Sequence, residues 1–148
     1  MPYLRITCAE LSIERRAAIA TALTKSINDL FFNPDARMSR EELRERTTVH
    51  FAPYADGELF VGGRTPAQRG TIDLTVEVSD WNMSLRQQRK VASGLTPVLA
   101  RLFGVPPEAI DGINIRFHSY PPNDFAVGGR LLGDVVPQIG QLAKRFLG

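Results

Sequence analysis

Pro2 is the residue whose position alone could do chemistry. A small penultimate residue permits removal of the initiator methionine, and the chain then begins with a secondary amine on a rigid ring. A free α-amino group titrates at about 7.7 to 8.0, and burial or nearby guanidinium groups push it lower, so such an amine can act as a general base near neutral pH. The opposing reading is that proline at this position simply starts a strand, where its missing N–H costs nothing. The cations point to what a base would meet. They are mostly arginine, with lysine only at Lys25, Lys90 and Lys144, and guanidinium forks suit carboxylates. Asn114, Arg116 and His118 alternate with Ile113, Ile115 and Phe117, which puts the polar three on one strand face, either a solvated surface or a lined cavity. Arg46 ends the charged run Arg40, Glu41, Glu42, Arg44, Glu45, a pattern that usually marks a solvated cluster. His50 and His118 are isolated strand histidines, proton donors or surface groups. Phe125 reads as a hydrophobic plug beside a glycine turn.

These residues must be positioned by a duplicated unit. Val61-Gly62-Gly63-Arg64 recurs as Val127-Gly128-Gly129-Arg130, each soon after an acidic residue and a phenylalanine (Glu58 and Phe60; Asp124 and Phe125). The flanking segments repeat as well. Leu4, Ile6 and Cys8 alternate with polar neighbours, as do Ile72, Leu74, Val76 and Val78, giving a strand at the head of each copy. A helix follows each strand. The first is capped by Ser12 and striped by Ile13, Ala17, Ala20, Leu23, Ile27 and Leu30. The second begins at Ser84 with Gln87 at capping-box spacing, carries Ala92, Leu95, Leu99 and Leu102, and stops at Gly104 before Pro106 and Pro107. Val49 and Phe51, then Ile113, Ile115 and Phe117, mark the returning strands. The order is β-α-β twice, with units at about 2–64 and 71–130, each pair expected to be parallel. Asn33 to Arg44 reads as a polar connection. The predicted fold is α+β: a four-stranded sheet with two helices on one face. A short C-terminal helix is predicted over roughly Val135 to Leu147, with Val136, Ile139, Leu142 and Phe146 at helical spacing.

Composition excludes several classes. The chain has 148 residues, 43% of them apolar and 23% charged, which is ordinary usage for one globular domain. No apolar run is long enough to span a membrane and no signal peptide is visible, so the expected location is the cytoplasm. Cys8 falls on an apolar strand face and reads as a small core residue, not a nucleophile. One cysteine and two isolated histidines give no basis for zinc, and a net charge of +2 gives none for nucleic acid.

Met1-Pro2 leading into Tyr3-Leu4-Arg5-Ile6, a helix near Ser12 and the duplicated β-α-β with its Gly-Gly turns resemble the tautomerase superfamily, over nearly the whole chain to about Leu132. Arg46-Thr47-Thr48-Val49-His50-Phe51 with Asp56-Gly57, and Ser84-Leu85 before Arg86-Gln87-Gln88, are similar to its 5-(carboxymethyl)-2-hydroxymuconate isomerase branch. The length and Leu59-Phe60-Val61-Gly62-Gly63 are similar to its cis-3-chloroacrylic acid dehalogenase branch. The resemblance implies a homotrimer without metal or organic cofactor, in which Pro2 shuttles a proton within a small enol acid. It implies that Arg46 and Arg116 hold the carboxylate, with Asn114 on the same strand face as Arg116, and that Phe125 lines the pocket. Arg64 and Arg130, equivalent by repeat, are expected to play a shared structural role such as bonding loop carbonyls.

Two departures narrow the chemistry. Where the dehalogenases place arginines after the third strand, this chain has Ser79-Asp80-Trp81-Asn82-Met83, and their glutamate and tyrosine align near Val127 and Arg116. Hydration and decarboxylation therefore lose support, and Trp81 and Met83 are expected to make the pocket wall apolar, suiting a 2-hydroxy-dienoate or similar acid. The competing readings are a hydratase, dehalogenase or decarboxylase on this scaffold, and a non-enzymatic binding module, since such sheets also bind RNA. Clustered strand aromatics for base stacking are missing, which argues against RNA.

Overall fold

Strand alternation and helix capping resolve into two β-α-β units laid side by side. In the computed structural model, described over residues 1–136, the first unit comprises β1 (Tyr3–Ala9), α1 (Ile13–Phe31), the short α2 (Arg40–Glu45) and β2 (Thr48–Tyr54). After a one-turn α3 (Pro66–Arg69), the second comprises β3 (Leu74–Trp81), α4 (Leu85–Phe103) and β4 (Ile113–Tyr120). A small hairpin, β5 (Ala126–Val127) and β6 (Arg130–Leu131), leads into α5 (Leu132–Val135). The four-stranded sheet has the order β2-β1-β3-β4. Its outer pairs are parallel and its central pair antiparallel, as a helical crossover within each unit requires.

The register shows the duplication residue by residue. Leu4 pairs with Val49 and Ile6 with Phe51 in one unit, Val76 with Ile115 and Val78 with Phe117 in the other. Across the centre Leu4 meets Val78 and Ile6 meets Val76. Those four side chains are fully buried and face Ile19, Leu23 and Ile27 of α1 and Val91, Leu95 and Leu99 of α4. Each such side chain contributes about 1.5–3 kcal/mol relative to exposure. Gly94 lies where α1 approaches α4: a Cβ there would meet Leu30 at 2.7 Å. Cys8 joins this core as expected; burial pushes its thiol pKa up, against the opposing charges of Arg16 and Arg15.

Both Gly-Gly dipeptides occupy the central positions of tight turns, with φ of 59° and 74° at Gly62 and Gly63 and 58° and 79° at Gly128 and Gly129. Two successive left-handed residues define the hairpin turn for which glycine is suited. Val61 and Arg64 exchange backbone hydrogen bonds of 2.8 and 3.2 Å across the first turn. Arg69 Nη1 also donates to the Val61 carbonyl, so Arg69 provides the carbonyl contact anticipated from Arg64.

Several local expectations change. The third strand begins at Leu74, leaving Ile72 outside it and exposed. The polar connection contains α2, nucleated by a closed capping box between Ser39 and Glu42 and anchored by buried Leu43. Ser84 does cap α4, accepting from Gln87 N at 3.0 Å. The Gln87 side chain does not complete a box, because it is buried and donates instead to the Leu30 carbonyl at 3.1 Å, satisfying an orphan acceptor in the last turn of α1. Val136 follows α5 as a cap, and the remainder of the expected C-terminal helix lies outside the described residues. Among the described residues no helix is long and apolar enough to cross a membrane, and no group of three or more His, Cys, Asp or Glu side chains is placed to hold a metal ion.

Candidate active site

The start of β1 enters the sheet between the start of β2 and the end of β3. Pro2 is fully buried there, and its carbonyl accepts from Thr48 N at 3.0 Å. With Met1 in place, the Pro2 nitrogen is an amide, and the chain's ammonium belongs to Met1. That ammonium lies 2.6 Å from Asp80 Oδ1. Asp80 is 1% exposed, on the same side of β3 as Val76 and Val78, where a carboxylate is costly unless it is paired.

Other groups gather around this pair. Arg46, the residue that ends α2, brings Nη1 to 3.9 Å from Met1 Sδ. On β4, Tyr120 stands opposite Trp81; burial first, and the Asp80 charge second, push its phenol pKa up to about 12. The Phe125 ring packs on Tyr120 with centroids 5.8 Å apart. The loop beyond β3 is pinned rather than free: Asn82, in a left-handed conformation with φ of 49°, donates from its backbone to Tyr120 O, and Met83 N donates to Ser119 Oγ. Met83, expected to make the pocket wall apolar, is buried in the core.

Pro2, Arg46 and Phe125 thus belong to one end of the sheet, Phe125 through Tyr120. Arg116 and Asn114 do not join them within a single chain. Both are exposed on the sheet face without helices, opposite Glu77 and Thr75 respectively, about 13 Å and 20 Å along β4 from Tyr120 at strand rise. The same face carries two histidine contacts, His118 Nε2 with Glu77 at 3.2 Å and His50 Nδ1 with Tyr3 Oη at 2.7 Å. Tyr120 carries no signal of its own in the sequence, and Asp80 stands there as an acid in the departing segment Ser79-Asp80-Trp81-Asn82-Met83 without an assigned role. The signal for Asp80 was available: it continues the buried parity of Leu74, Val76 and Val78.

A groove of about 640 Å³ opens at the opposite end of the sheet, lined in part by Cys8, Arg15, Tyr54, Asp73 and Phe103. The amino-terminal end is the better candidate because it holds the chain's amine against a buried carboxylate.

Comparison with known proteins identifies the fold. A fused 4-OT solved as an asymmetric trimer superposes with a TM-score of 0.73 at 16% identity, over 90% of this chain and 98% of the other. Pt0534 inactivated by 2-oxo-3-pentynoate gives 0.72 at 15% identity with the same coverages. A member of the cis-3-chloroacrylic acid dehalogenase family gives 0.66 at 21% identity, over 96% of this chain and 97% of that one. No family profile matches the sequence, and no curated protein matches it. The structural neighbours are tautomerase-superfamily proteins, and the chain has their fold.

Proposed function

We propose that this chain is a cofactor-independent tautomerase or isomerase of a 2-hydroxy-dienoate or related enol acid, acting through Pro2 once Met1 is removed. The observation that carries the reading is the buried Pro2 at the mouth of the sheet, with a guanidinium at the terminus. In this account the Pro2 amine takes the enol hydroxyl proton and returns it to a carbon of the conjugated chain, leaving the ketone. Arg46 draws in the substrate carboxylate. The assembly is a homotrimer, a reading supported by the trimeric fused 4-OT, and a neighbouring subunit supplies Arg116 and Asn114, which lie too far along β4 to act within their own chain. Phe125, stacked on Tyr120, forms an apolar wall. Inactivation of a structural neighbour by 2-oxo-3-pentynoate, a small unsaturated 2-oxo acid, favours this substrate class.

The test is ultraviolet-monitored ketonisation of 2-hydroxymuconate and phenylenolpyruvate by untagged protein, with Met1 removal verified by intact mass. Pro2→Ala is expected to lose roughly 10²–10⁴-fold in kcat/KM, the usual worth of a positioned general base. Correctly processed protein that turns over neither enol acid would sink the assignment. Faster turnover of 3-haloacrylate than of either enol acid would transfer it to the dehalogenase reading.

A further inference from the structure

We infer that the groove between the C-terminal end of α1 and the first two turns of α4 binds a small organic anion with an apolar body, its charged end held by Arg86 and Lys90. The groove has a volume of about 450 Å³, within the range of small-molecule sites. Leu30, Phe31 and Phe32 form its apolar wall, and Arg86, Gln87 and Lys90 face them from α4. Leu30 and Phe31 are packed against the core, so the wall is fixed. Gln87 is buried and spends its amide donor on the Leu30 carbonyl at 3.1 Å, which leaves the two cations to give the groove its charge. It shares no lining residue with the amino-terminal site, and it stands apart from the reading of Pro2.

The charge pattern identifies the class of ligand. α4 has no acidic residue along its whole length, yet it carries Arg86, Arg89, Lys90 and Arg101, in a chain whose formal net charge is only +2. The first three crowd its opening turns, where the helix dipole is already positive and acids are the favourable residues. The equivalent helix of the first unit is built differently. Counted from the caps Ser12 and Ser84, the places of Arg86 and Lys90 are held in α1 by Glu14 and Ala18. The neighbouring cations have partners: Asp29 accepts from Lys25 at 2.8 Å and from Arg40 at 3.0 Å, and Arg40 also covers the Phe32 ring at 4.3 Å. Asp29 is thereby occupied, and Asp35, further along the same loop, lies outside the groove lining. Arg86 and Lys90 are exposed, and among the described residues neither has a carboxylate within ion-pair distance. One helical turn apart, they are neighbours on one face of α4. A guanidinium fork and an ammonium so placed close on one carboxylate or phosphate, while the phenylalanine and leucine wall takes the apolar body out of water.

Amide NMR of ¹⁵N-labelled protein, titrated separately with 3-phenylpropionate, phenyl phosphate and phenethylammonium, tests the groove directly. The expected result is saturable shifts at the Phe31, Phe32, Arg86 and Lys90 amides with at least one anion, the tighter of the two naming the headgroup. Phenethylammonium, with a similar ring and the opposite charge, should leave these signals in place. Arg86→Ala and Lys90→Ala should each weaken binding roughly tenfold or more, as expected for loss of a charged hydrogen bond. Arg86→Glu, which copies Glu14 of the first unit, should abolish binding and raise the thermal midpoint, because an acid suits that end of a helix; loss of binding is then separated from loss of fold. No saturable shift at these amides with either anion, an equal response to phenethylammonium, or binding unchanged in Arg86→Glu overturns the inference. Shifts confined to Tyr3 and Arg46 would also overturn it while supporting anion capture at the amino-terminal site, so the two readings fail separately.

Discussion

The two ends of the sheet are built from equivalent positions and filled with different chemistry. At one end Pro2, Asp80 and Tyr120 come together; at the other, the corresponding residues are Leu74, Cys8 and Tyr54. Tyr54 donates from its hydroxyl to the Asp73 carbonyl at 3.0 Å, where the backbone runs on into β3. Met1 occupies the position equivalent to Asp73, and its ammonium meets Asp80 at 2.6 Å. Duplication therefore supplies two similar mouths, but an amine exists at only one of them, and the carboxylate that meets it replaces a thiol. The opposite mouth opens onto a groove of about 640 Å³, yet it offers a continuous backbone and an inert buried thiol. On the proposed reading, chemistry belongs to the mouth that holds Pro2 and Asp80.

That contrast can be broken by exchanging small side chains at matched sites. Pro2→Ala should abolish most turnover, whereas its counterpart Leu74→Ala should spare kcat and instead destabilise the protein by about 2–5 kcal/mol, the usual cost of emptying a leucine site in a core. Denaturant unfolding measured beside enol-acid kinetics distinguishes the two; equal kinetic losses would erase the asymmetry. A charge exchange sharpens it further. Arg46→Ala should raise KM for an enol acid roughly tenfold or more, as expected for loss of a charged hydrogen bond, while Arg15→Ala in the opposite groove should leave KM alone. If instead Arg15→Ala raised KM, the substrate would belong to the larger groove.

The tyrosines offer a comparison in pH. Burial raises both: Tyr54 with added contributions from Asp73 and Cys8, Tyr120 to about 12 with Asp80 adding to burial. The folded protein keeps the Tyr120 proton up to about pH 12, whereas the unfolded chain releases it near pH 10. The unfolded state then binds fewer protons in that window, so stability should decline as pH rises from about 10 to about 12. Ultraviolet phenolate titration should show the Tyr120→Phe protein lacking the latest-ionising group. The smallest effect is one of sameness. Ser12 and Ser84 cap equivalent helices, accepting from Arg15 N at 3.2 Å and Gln87 N at 3.0 Å, and replacing either with alanine should cost about 1 kcal/mol in thermal or denaturant unfolding. Unequal losses would show that the Gln87 bond to Leu30, made in one unit only, shares the load.

What was legible in the sequence was local. Strand parity at Leu4, Ile6, Val76 and Val78, the serine caps and the doubled glycine turns each depend on a few neighbouring residues, and each appears in place. The short α2 is hard to read in the sequence because a single apolar residue, Leu43, anchors it within a charged run. Gln87 misled for the opposite reason: its spacing to Ser84 is right, but a carbonyl on α1 outcompetes the local partner. Asp80 showed its burial through parity alone, while its partner lies 79 positions away in sequence and becomes visible only when β1 and β3 are adjacent. The same applies to Arg116 and Asn114, whose distance from Pro2 depends on strand order and not on spacing.

The most direct test of the amino-terminal site is intact-mass and peptide analysis after incubation with 2-oxo-3-pentynoate, comparing processed protein with protein that retains Met1. The account predicts a single adduct on Pro2 of the processed chain, formed as the amine nitrogen adds to the alkyne and the neighbouring carbon takes up a proton, and none on the chain that keeps Met1. An unlabelled Pro2 in processed protein, or equal labelling of both forms, would contradict it.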